Sequence, residues 1–162
     1  MSAATTLKVP AGSGLTLAPV QAAQAYAAAL AVPAPKANPA VSVKDSFATT
    51  LATTAAAQNK ALAKLATLTQ KHVAATKNLV GFRLADGSAV VSTLLTRTDT
   101  IKVGAGAKEI VLPAEYKAIT GKAKATKAVT LTSLEPVILL VPSAGAVTAI
   151  GAEEILVSGK AS

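Results

Sequence analysis

Cysteine and tryptophan are absent from the 162-residue chain, and histidine occurs once. Without thiols there are no disulfides, thiolate metal sites, cysteine nucleophiles or thiol redox chemistry. Only Phe47, Phe82, Tyr26 and Tyr116 are aromatic. Aromatic side chains usually dominate cores and interfaces, so aliphatic packing, helix propensity or partners must stabilise this chain. The same scarcity removes the stacking platforms that sugar rings and single-stranded nucleic acids need. No run of about 20 apolar residues is present, which excludes a membrane-spanning helix. Ala22–Val32 has the small, apolar look of a secretion signal. No basic region precedes it, however, and Pro10 and Pro19 do, so it reads as retained sequence.

Acidic side chains are nearly missing from the first half. Residues 1–85 hold eight bases and one acid, Asp45, whereas residues 86–162 hold eight bases and seven acids. Of the net charge of +8, the first half therefore carries +7. Such a half is drawn to acidic surfaces, either a protein shell or nucleic acid.

The residues that could do chemistry are few. His72 has Leu68, Thr69, Ala75 and Thr76 as helical neighbours and no acid beside it to orient the ring, so it reads as a packed histidine. Glu153 and Glu154 are the only adjacent acids, and neighbours in a strand point to opposite faces. Ser13 lacks the spacing of a nucleophile elbow. Gly104–Ala107 lacks the Lys-Ser/Thr of a phosphate loop and reads as a turn. No enzyme activity, metal site or cofactor is expected.

What is present divides into three parts. Residues 1–41 read as an extended, Pro/Ala-rich attachment arm with a short helix after Pro19, followed by a spacer set by Pro33, Pro35 and Pro39. Residues 43–79 read as one helix of about 35 residues, capped by Ser42 and free of proline and glycine. Its apolar residues fall in heptads. Leu51, Gln58, Leu65, His72 and Leu79 take position a, and Phe47, Thr54, Ala61, Leu68 and Ala75 take d. Seven of those ten are apolar, a coiled-coil pattern with polar interruptions. Gln58 and His72 would set register around a three-fold axis, so a homo-trimer is expected, with a dimer second. A single helix packed on the rest of the chain is the third possibility. Lys60, Lys64, Lys71 and Lys77 have no acid on this helix to pair with. Together with Lys36 they form the expected basic contact for an acidic partner.

Residues 80–162 read as all-β. Short β-branched segments are separated by Gly, Pro or polar breaks, and Ala85-Asp86-Gly87 marks a hairpin. A small sandwich or barrel is expected. The overall class is thus α+β: extended arm, one long coiled-coil-like helix, and a C-terminal β domain.

The order of arm, long helix and compact β domain, in a low-aromatic, cysteine-free, Ala/Thr-rich chain, resembles accessory proteins of tailed-phage virions: capsid decoration, cement or head-fibre proteins. That resemblance implies a structural protein on the capsid surface, attached by its basic N-terminal half. Separately, Tyr116–Gly121 followed by Val129–Leu140 is similar to the closing strands of the β-sandwich behind many glycoside hydrolase barrels, a non-catalytic module. Two alternatives stand beside the virion reading. One is a basic protein coating nucleic acid, suggested by Lys122, Lys124 and Lys127. The other is a β accessory module of a bacterial surface protein.

Overall fold

The computed structural model describes residues 14–162. The first helix, α1 (Pro19–Ala29), has Pro19 in its first turn, where a missing N–H costs nothing. Its buried residues are Ala22, Ala23, Tyr26 and Ala27. That one-sided stripe of mostly alanine lets the helix axis lie close to whatever it covers. Helix α2 (Ser46–Leu62) starts at Asp45, whose carboxylate accepts from the Ala48 N–H at 2.9 Å. It buries Ala48, Leu51 and Ala55, again one face. A short α3 (Ala114–Thr120) ends at Gly121 in the left-handed conformation.

The strands are β1 (Ala66–Ala74), β2 (Val80–Arg83), β3 (Ala89–Val103), β4 (Ile110–Val111), β5 (Lys124–Ala125), β6 (Ala128–Val141), β7 (Thr148–Ala152) and β8 (Ile155–Ala161). Six of them make one antiparallel sheet, and β4 and β5 make a separate two-stranded ribbon. The long strands β3 and β6 are its spine, paired from Ala89↔Val141 to Lys102↔Ala128. β1 and β2 share the outer edge of β3. β7 and β8 share the outer edge of β6. The β2–β3 hairpin turns at Gly87, whose φ of 85° favours glycine.

All three helices lie on one face of the sheet. α1 packs on β1, β3 and β6, α2 on β1 and β7, and α3 on β8. α3 comes so close that a Cβ at Gly159 would sit 2.8 Å from Ile119 and 2.9 Å from Leu131. The helix-covered layer holds two apolar clusters. One is built around Tyr26, Val91, Leu95 and Leu139, the other around Leu68, Ile101, Val129 and Leu131. The opposite face alternates outward, and Val73, Phe82, Leu94, Ile138 and Ile155 are exposed on it. Among the described residues no element packs on that face.

The proline-rich spacer is extended and serves its own sheet. Val32 pairs with Gln70 at the free edge of β1, through N–H···O bonds of 3.0 and 2.9 Å. The chain then returns alongside α1, where the Lys36 N–H donates to the Ala28 carbonyl at 3.0 Å. It reaches the other edge beside β7, where the Ser42 N–H donates to Val147 at 2.7 Å. Leu15 and Leu17 also pack on the first apolar cluster.

The architecture overturns the long coiled-coil helix and the arm–helix–knob arrangement. The helix starts one turn later than the Ser42 cap implies and stops at Leu62. Ala63 then takes φ 44°, ψ −118°, and residues 66–74 form a strand whose burial strictly alternates. The heptad residues are therefore split. Phe47, Leu51 and Gln58 stay on α2, Leu68 and His72 are on β1, and Leu65 and Leu79 fall in the connections. Leu51 and Leu68 are 7% and 3% exposed and serve the chain's own core. The sandwich or barrel is corrected too. The strands form a single sheet covered by helices, and the sheet begins at Ala66, ahead of the expected boundary at residue 80.

Candidate functional site

Two features stand out: a buried ionic layer inside the fold and a lysine-rich end of the sheet.

The ionic layer separates the two apolar clusters. Inward positions on three neighbouring strands carry polar side chains at the same level: Gln70 and His72 on β1, Arg97 and Asp99 on β3, Ser133 and Glu135 on β6. His72 Nδ1 lies 2.8 Å from Glu135 Oε2, and neither side chain reaches solvent. A carboxylate only accepts, so this contact is a hydrogen bond in the tautomer that carries its proton on Nδ1. Arg97 is the hub. Its Nη1 donates to Glu154 Oε2 at 2.8 Å and reaches Glu135 Oε1 at 3.4 Å. Its Nη2 donates to the other Glu154 oxygen, and its Nε lies 3.1 Å from Asp99 Oδ1.

Burial opposes every charge in this layer. For Arg97 burial alone lowers the pKa, but the ion pairs with Glu154, Asp99 and Glu135 outweigh it and the guanidinium is held above its ordinary value. For Asp99 burial dominates and raises the carboxyl, although Arg97 pulls it down. Gln70 Oε1, His72 Nε2 and Thr93 Oγ1 are buried with no hydrogen-bond partner.

Beside this layer a cavity of about 290 Å³ opens between α2, α3 and the sheet. Gln70, Arg97 and Asp99 line it from the sheet side, and Gln58 Nε2 donates to the Tyr116 hydroxyl at 3.1 Å across it. His72 does not line it. The ring is instead locked between strands.

The second feature is the end of the sheet where β1 and β6 begin and β3 and β8 finish. Gly104 N–H donates to Leu65 there, and Val103 N–H donates to Lys127. The C-terminus of α2 and the β4–β5 ribbon reach the same end, with Ile110, Leu112 and Ala125 packing on Val129 and Ala161. Lys60, Lys64, Lys102, Lys108, Lys122, Lys124, Lys127 and Lys160 are all exposed in these segments. Their only acidic side chain is Glu109, which pairs with Lys124. Charge thus segregates by position in the fold as well as by half of the sequence.

The expected basic contacts disperse accordingly. Lys60 and Lys64 belong to the lysine-rich end. Lys71 stands on the outer sheet face, Lys77 in the β1–β2 connection, and Lys36 on the strap over α1. Gln58, expected to set helix register, instead bonds to Tyr116.

His72 does have an acidic partner, contrary to the helical reading. Glu135 comes from a strand 63 residues away, a distance that helical spacing cannot register. Glu154, expected to share a strand with Glu153 and point to the opposite face, sits in the β7–β8 connection and grips Arg97. Among the described residues no group of three or more His, Cys, Asp or Glu is arranged to hold a metal ion.

Fold and site together define a two-layer α+β protein with an ionic seam in its core and a cationic tip. No protein-family model, curated protein or solved structure matches the chain.

Proposed function

We propose that this is a non-enzymatic structural protein that attaches to an acidic protein surface, an assembled virion shell being the partner, through its lysine-rich end. One observation carries the reading: eight exposed lysines converge on one end of the sheet with a single acidic side chain among them. Like charges so gathered repel one another, and the repulsion is relieved when an acidic partner covers them. The arm–helix–knob order no longer supports the virion assignment, so the proposal now rests on this charge distribution.

Nucleic acid is the second reading, because lysines also attract phosphate. The composition of the tip favours protein. It carries no arginine for bidentate base or phosphate contacts and no aromatic ring for stacking.

Co-sedimentation with shells of the source virus tests the proposal, using the full chain and a variant with Lys64, Lys102, Lys127 and Lys160 each changed to Glu. Deleting residues 1–41 is unsuitable as a test, since Ala22, Ala23 and Tyr26 are fully buried in the core. Loss of binding in the reversed variant is the expected result. Equal binding by both proteins removes the proposal.

A further inference from the structure

We propose that the cavity between α2, α3 and the sheet binds a small primary amine as its ammonium. The site is independent of the shell-binding reading, since it lies on the helix side of the sheet and uses none of the tip lysines.

The first argument is hydrogen-bond chemistry. Gln70 and Asp99 line the cavity and are each 4% exposed. Gln70 Oε1 is buried without a hydrogen-bond partner, and Asp99 Oδ1 is buried with only the Arg97 Nε beside it, at 3.1 Å and without hydrogen-bond geometry. Both are acceptors, so the occupant that satisfies them must donate. An ammonium offers three donors and no acceptor.

The second argument is charge. Asp99, Glu115 and Glu154 line the cavity against one cation, Arg97, on a chain whose net charge is +8. Arg97 cannot serve an anionic ligand, because both its Nη atoms are turned to Glu154 and its Nε faces Asp99. The lining is therefore negative and its only cation is already engaged. Tyr116 reports the same field: burial first, then the charges of Asp99 and Glu115, push its hydroxyl above the usual value.

The third argument is size and shape. A cavity of about 290 Å³ is at the small end for organic ligands. Leu131 and Leu51 supply apolar wall for an alkyl body. The carboxylates do not group closely enough for a metal ion, which leaves a polyatomic cation with N–H donors.

Amide chemical shifts of the ¹⁵N-labelled full chain test this, titrated with n-butylammonium chloride at constant ionic strength. n-Butanol and sodium butyrate are the neutral and anionic controls. The expected result is saturable shifts at Gln70, Asp99 and Leu131 with a Kd below about 10 mM, and none with either control. Asp99→Asn should weaken binding by about tenfold or more, with its thermal melt confirming the fold. Should that variant not fold, Glu115→Gln at the cavity mouth should weaken binding about threefold.

Acetyl-Gly-Lys-Gly-amide separates two sources of the same chemistry. Shifts with butylammonium alone assign a free amine, and shifts with both assign a lysine side chain from another protein. No saturable shift with butylammonium, equal shifts with butanol, or unchanged affinity in folded Asp99→Asn would each overturn the proposal.

Discussion

The hydroxyl of Tyr26 donates to the Asp45 carboxylate, lying 3.0 Å from both oxygens, and the same carboxylate caps α2 through the Ala48 N–H at 2.9 Å. Tyr26 is fully buried on α1, so this contact ties the first helix to the start of the second across the proline-rich strap. One acid, the only one in the first 85 residues, thereby organises the helical layer.

Tyr26→Phe removes the donor and leaves the ring, so it should cost about 1–2 kcal/mol in urea unfolding. Asp45→Ala removes cap and acceptor together and should cost about 2–3 kcal/mol. The pair also sets an alkaline limit. Burial, and then the Asp45 charge, raise the Tyr26 hydroxyl well above its ordinary value. The folded state therefore keeps this proton where the unfolded chain has lost it. Stability held below about pH 10 should fall as pH rises beyond that point. Tyr26→Phe should lack that part of the decline; an identical alkaline profile in both proteins would contradict it.

The ionic seam should be costly to break from one side. Glu135 is fully buried between His72 and Arg97. Glu135→Ala leaves two buried basic groups without their shared acceptor and should destabilise by about 3–5 kcal/mol. Chemical denaturation should show the loss as a lower midpoint with the slope unchanged.

Asp99 should behave in the opposite sense at neutral pH. Its folded pKa is raised, chiefly by burial, so the folded protein holds this proton more tightly than the unfolded chain. Protonation stabilises the fold below the ordinary aspartate value of about 3.9, and that stability is lost as pH rises through the folded pKa. Asp99→Asn should therefore melt above the parent at pH 7, with the gap closing toward pH 4. A parent that is more stable than Asp99→Asn at pH 7 would contradict this.

Two local features were legible. Pro19 and the alanine-rich run after it mark α1, and Ala85-Asp86-Gly87 marks the β2–β3 turn. The α2–β1 junction was not legible, for two physical reasons. The chain leaves the helix at Ala63 with φ 44° and ψ −118°, a positive-φ conformation that usually calls for glycine, so no breaker announces the end. The inward positions of β1 are Ala66, Leu68, Gln70, His72 and Ala74. Two of those five are polar because they serve the ionic seam, and this hid the period of two beneath a heptad. The lysines without acidic partners along the supposed helix were the available sign against a coiled coil. The seam itself could not be read, since its members, at positions 72, 97, 135 and 154, meet only once the sheet has formed.

That junction gives a further prediction. Ala63→Gly relieves a backbone conformation that costs a non-glycine residue about 1 kcal/mol or more, and should raise the melting temperature. Gly159→Ala should lower it, because the added methyl meets Ile119 and Leu131 inside 3 Å. If Ala63→Gly melts lower than the parent, the helix does not end where the structure places it.

The central claim is that the cationic end of the sheet docks on an acidic shell. Its most direct measurement is co-sedimentation with assembled shells at about 150 mM salt, where weakly steered surface charges are largely screened. The parent chain should pellet with the shells. The variant with Lys64, Lys102, Lys127 and Lys160 changed to Glu should remain in the supernatant while melting like the parent, and a 30-base-pair duplex should not displace the parent from the shells. Equal pelleting of both proteins, or release of the parent by the duplex, would contradict the account.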